Sequence, residues 1–117
     1  MKLGALYRHE HCVVPRTWLA NTPWSRLRGL LGRPPLRGDA AEALLLQPCS
    51  AVHTFGMRYA LDIVFLDRRG CVLDTHAALS PGSMRRCRGA WQTLELSAGS
   101  LAQLRPQPGE ELTWRPQ

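Results

Sequence analysis

The chain predicts a mainly β fold: a β-sandwich or barrel-like domain of five to seven strands with one or two short helices. Two observations carry that expectation. Short apolar or alternating runs recur between turn residues, at "EALLLQPC" (42–49), "YALDIVFLD" (59–67), "CVLDTHAAL" (71–79) and "WQTLELSAG" (91–99). Full helix punctuation occurs at one place only, "NTPWSRLRGLLGRPP" (21–35). The size agrees. With 117 residues, 44% apolar and 21% charged, the chain suits one domain, 1–117, with its own core.

The elements follow in order. Residues 1–11 are expected to be flexible. "CVVPRTWL" (12–19) has strand-forming residues around Pro15, which marks an edge strand or a broken one. In the helical stretch Thr22 caps, Pro23 takes the first position, Gly32 ends the helix, and Pro34 and Pro35 prevent continuation. A helical wheel puts Trp24, Leu27 and Leu31 on one face, Arg28 inside that stripe, and Arg26 and Arg33 opposite. The run 59–67 alternates. Tyr59, Leu61, Ile63 and Phe65 share one face and Ala60, Asp62, Val64 and Leu66 the other, so a central strand buried on both sides is expected. "DRRG" (67–70) turns the chain into its hairpin partner, 80–89 is a loop, 100–104 makes a helical turn, and 106–114 a turn and last strand.

Charge and cysteines exclude some functions. The net charge is +6, and 14 of the 15 basic residues are arginines, scattered rather than set in a stripe. No nucleic-acid partner is expected. The longest apolar runs are far below the ~18 residues of a membrane span, so no membrane insertion is expected. The first twelve residues lack a signal-peptide core, so a cytoplasmic, monomeric protein is expected. Cys12, Cys49, Cys71 and Cys87 form no Cys-x-x-Cys pair; four free thiols are expected, at least two of them buried. His9, His11 and Cys12 make the one metal-like tract, too sparse for a site, and no metal or other cofactor is called for.

The chemistry-bearing stretch is "HTFGMRYALD" (53–62). Asp62 is costly on an apolar strand face unless it is hydrogen-bonded or paired. His53, Thr54, Phe55 and Met57 precede that strand, where loops carry function. Glu95 lies on the face opposite Leu94 and Leu96 and can point into the same cleft. A pocket lined by Arg28, His53, Thr54, Phe55, Met57, Asp62 and Glu95 is the candidate ligand site. Arg28 is expected to seek an anion, Asp62 first and Glu95 second. No nucleophile elbow, Walker loop or paired-carboxylate motif is present, and no catalytic residue is assigned.

In this order the motifs resemble the domain of unknown function 192 family. "RLRGLLGR" (26–33) is similar to the family's opening and "HTFGMRYALDIVFLD" (53–67) to its aromatic-x-Met and Leu-Asp segment. "LDRRGCVL" (66–73), "LELSAG" (94–99) and "PGEEL" (108–112) resemble the later hairpin, strand and turn. The resemblance spans about 24–112 and implies a compact β-rich fold, with no established activity to carry over. Ala60 stands where proline is common, and Glu110 where the family has Asp, which puts a tight Asx-type turn in question. The leading functional expectation is binding of a small polar or anionic ligand. A protein–protein accessory module linked to envelope or secretion functions, and a small hydrolase, are the alternatives.

Overall fold

The structure, a computed structural model, describes residues 1–30 and 33–117, with residues 27 and 28 described by their backbone alone. It is mainly β. Among the described residues nine strands, β1 (Lys2–Arg8), β2 (His11–Ala20), β3 (Glu42–Leu46), β4 (Ala51–His53), β5 (Leu61–Leu66), β6 (Val72–Leu79), β7 (Met84–Arg86), β8 (Gln92–Ser97) and β9 (Thr113–Pro116), accompany two short helices, α1 (Pro23–Arg28) and α2 (Leu101–Leu104). Seven strands form one sheet in the order β6-β5-β8-β3-β2-β1-β9, and β4 pairs with β7 in a separate ribbon. All pairings are antiparallel except β2 with β3, whose parallel register needs the long connection that carries α1.

The large sheet curls toward closure. Cys71 at the head of β6 bridges Glu111 just before β9, and three backbone hydrogen bonds of 2.8–2.9 Å join 70–72 to 109–112. A Cβ at Gly70, whose φ is +91°, would strike the Leu112 carbonyl, so the close approach depends on glycine. The interior holds Leu6, Val14, Leu45, Val64, Leu66, Leu94, Leu96 and Leu112, drawn from across the sheet. Leu104 of α2 enters the same cluster. A second cluster, with Leu44, Leu46, Leu61, Ile63 and Phe65, lies on the outer face of β3, β8 and β5 beneath α1 and the ribbon. Both faces of β5 are therefore buried, as its sequence predicts.

Several expectations change. Residues 2–8 are a strand between β2 and β9 rather than a loose tail, fixed by pairing on both sides. Pro15 interrupts β2 at a β-bulge, where Pro15 and Arg16 oppose the single residue Ala5, so the missing N–H costs no ladder bond there. Residues 84–86 pair with 51–53, so the expected loop 80–89 contains a strand. Helix α1 starts as expected, with a capping box between Thr22 and Ser25 and Pro23 in the first turn, but it ends at Gly29 (φ 49°), three residues before Gly32. Gly32 and Leu31 lie outside the described residues. A six-residue helix cannot sustain the wheel's stripe, and Trp24 stands 72% exposed. Among the described residues no helix is long and apolar enough to cross a membrane.

Candidate functional site

The residues of 53–62 do not act as one wall. Asp62 sits in the barrel interior, opposite Leu96 of β8. Its Oδ1 accepts the Ala78 amide at 2.8 Å, and its Oδ2 accepts the amides of Gly99 (3.0 Å) and Leu101 (2.9 Å). The carboxylate is fully buried and ties β5 to a left-handed residue of β6 and to the start of α2. This corrects its assignment to the pocket. Its two oxygens accept three backbone amides, which is the hydrogen-bonded solution to burying a carboxyl group.

Thr54 is likewise structural. Its hydroxyl donates to the Ser80 carbonyl (2.6 Å) and accepts the Ser83 amide (2.9 Å), while its carbonyl accepts from Met57 and Gly82. It latches the turn before β7 onto the end of β4, fully buried, and does not line the cleft.

His53, Phe55, Met57 and Glu95 do come together. They line a cleft of about 410 Å³ on the outer face of the sheet. Leu46, Leu61 and Glu95 form its floor, the end of α1 with Arg26 and Leu30 one wall, and the stretch from Pro48 to Phe55 the other. The floor follows from register. Glu95 stands opposite Leu44 on one side and Ile63 on the other, both almost completely buried, so its carboxyl projects among apolar side chains. The residue is 7% exposed, and no hydrogen bond to its carboxyl is found among the described residues. Loss of solvent lifts its pKa from 4.5 to about 7. Tyr59 is close enough for the Glu95 charge to push its own pKa up, after burial as the main cause.

At the mouth, the His53 and Phe55 rings stack with centroids 5.4 Å apart, and Phe55 is 51% exposed. Arg26 contributes a half-buried guanidinium. One end donates to the Pro48 carbonyl at 3.3 Å, and its Nε is shielded from solvent without a hydrogen-bond partner among the described residues. The wheel placed Arg26 on the outer face of α1, so it was missed as a wall residue; the short helix turns that face toward Pro48. Arg28, expected to close the pocket, has a side chain outside the described residues, and so does its proposed pairing with Asp62 or Glu95. The Cys49 thiol lines the cleft and donates to the Ala51 carbonyl at 3.2 Å. All four thiols are free, but none is fully buried: Cys12 is exposed and the other three are half-buried, because each lies in or beside a turn rather than mid-strand.

A curled β-barrel with an apolar, carboxyl-floored cleft on its outer face defines a small β domain. The chain belongs to the DUF192 family, described as Uncharacterized ACR, which it matches over residues 7–114. The match starts within β1, earlier than the motifs alone suggest. Two crystal structures share the fold, each with a TM-score of 0.77. One is a protein of unknown function from Novosphingobium aromaticivorans, 24% identical, covering 96% of this chain and 84% of that one. The other is a candidate transcription regulator from Sinorhizobium meliloti, 23% identical, covering 97% of this chain and 92% of that one. At that identity the likeness concerns the fold alone. No curated protein matches the chain.

Proposed function

We propose that the chain is a small-molecule-binding accessory domain and that the cleft over β3, β8 and β5 is its site. The observation that supports this most is Glu95. A fold selected for stability alone gains by placing an apolar residue between Leu44 and Ile63, since a desolvated carboxyl there is costly. A ligand reaching the cleft floor gives that group a partner. Concavity, mostly apolar walls and a few converging polar groups are the usual form of such sites. The exposed Phe55 and His53 at the mouth offer an aromatic surface to the outer part of the same ligand.

The sequence-based expectation of an anionic ligand is narrowed by the same residue. An ionised Glu95 repels an anion at the floor, so an anionic group fits only near Arg26 at the wall. The test is a library of small aromatic and aliphatic compounds screened by amide chemical-shift mapping. Shifts concentrated at residues 46–57, 61 and 95, and lost in Ala51→Trp, are the expected outcome. Binders that shift other surfaces, or that bind Ala51→Trp equally well, would refute the assignment.

A further inference from the structure

We infer that the ligand taken by the cleft carries a protonated amine on an apolar body, with its ammonium seated on Glu95; this rests on the reading of the cleft as a ligand site. The inference starts from what the Glu95 carboxyl lacks. It is more than nine-tenths buried, directed into a cavity of about 410 Å³, and flanked by leucine and isoleucine. No hydroxyl, amide or guanidinium among the described residues donates to it. The contrast with Asp62 is direct, since three backbone amides occupy that carboxylate. One buried acid is built into the fold, and the other faces the cavity with no donor among the described residues.

An ammonium is the complement that such a group favours most. It supplies up to three donors and a full charge, and charge-assisted hydrogen bonds are about twice as strong as neutral ones. A neutral donor recovers less of the lost hydration, and an anion finds an acceptor of the same sign. The apolar body follows from the walls: Leu46, Val52 and Leu61 line the approach to Glu95, with the Phe55 ring at the mouth. The Arg26 guanidinium lines the same cleft, so the amine need not be the ligand's only polar group.

The test uses the full chain and three matched probes: phenethylamine, 2-phenylethanol and 3-phenylpropionate. Their dissociation constants are measured by titration at pH 7.5 against wild type, Glu95→Gln, Arg28→Ala and two cleft-filling variants, Ala51→Trp and Ala51→Met. Urea unfolding confirms that each variant is folded. The amine is expected to bind roughly tenfold tighter than the alcohol, with the preference falling to near parity in Glu95→Gln. Both cleft-filling variants should weaken every probe. If alcohol and amine bind alike, or the acid binds best, and cleft filling still abolishes binding, the amine assignment fails while the cleft remains a ligand site. An amine preference that survives Glu95→Gln also overturns it, as does amine binding that appears only in Arg28→Ala, because Glu95 would then already hold an internal cation. If no probe binds any variant, the inference and the reading of the cleft beneath it both fall.

Discussion

Replacing Glu95 by Gln should leave stability close to wild type at acid pH and raise it at alkaline pH. The folded carboxyl sits at about 7 where an unfolded one sits near 4.5, and burial is the cause. The native state therefore binds more protons than the unfolded chain between those values. Stability is greatest on the acid side of that window, falls as pH rises through it, and levels off above about pH 7. The displacement corresponds to about 3 kcal/mol of destabilisation once Glu95 is ionised, an order-of-magnitude figure for a side chain this buried. Glutamine keeps the shape and removes the titration. Urea unfolding of wild type and Glu95→Gln from pH 5 to 8.5 gives the difference directly, since other groups cancel. The variant should gain on wild type steadily across the window and stay ahead above it. Parallel curves would refute the reasoning, because they would mean that Glu95 ionises as easily folded as unfolded, with a cation or water at its side.

Asp62→Ala should cost about 3 kcal/mol or more, since it strands three backbone donors in the barrel interior, and hydrogen exchange should quicken first at Ala78, Gly99 and Leu101. Glu110 forms a two-pronged ion pair with Arg8 (2.6 and 2.8 Å) that holds its carboxyl below the usual range. That stabilisation is present above the unfolded carboxyl's pKa and is lost as pH falls through the folded one. Glu110→Gln should flatten the acid limb of the stability curve by about 1 kcal/mol, as measured by urea unfolding from pH 7 to 3. Thiol alkylation followed by mass spectrometry should label Cys12 first and Cys87 late, because burial and the nearby Asp74 charge hold the Cys87 thiol up; four labels after denaturation should account for every cysteine.

Much of the barrel was legible because its strands repeat every two residues. The split of 59–67 into two apolar faces is observed directly in the two clusters it joins. The relation between two strands was not legible. Period-two alternation puts Glu95 opposite in sense to Leu94, and Asp62 opposite to Ile63, but only the pairing of Asp62 with Leu96 and of Ile63 with Glu95 reveals that the two carboxyls face opposite sides. That single register puts one carboxyl at the floor of the cleft and the other in a structural tie. The strands β4 and β7 are three residues each, too short for any period, and β1 owes its order to partners β2 and β9, the second about a hundred residues away in sequence. Glu110 is a milder case. The substitution for Asp removed an expected turn signal, yet the longer side chain still accepts the Gln107 amide at 2.6 Å while reaching Arg8.

The place of β1 between β2 and β9 also imposes an order of events. Gly4 packs under the Trp114 ring, whose indole N–H donates to the Thr17 carbonyl at 2.9 Å, and Arg8 grips both Glu110 and the Leu104 carbonyl. A chain emerging from the ribosome can form the local β1–β2 hairpin early. One side of β1 then stays unpaired until residues 109–116 arrive. Contacts of such sequence separation form slowly. Until β9 arrives, the nascent chain therefore exposes an open strand edge and part of the barrel's interior, the condition in which chaperones engage and neighbouring nascent chains can pair.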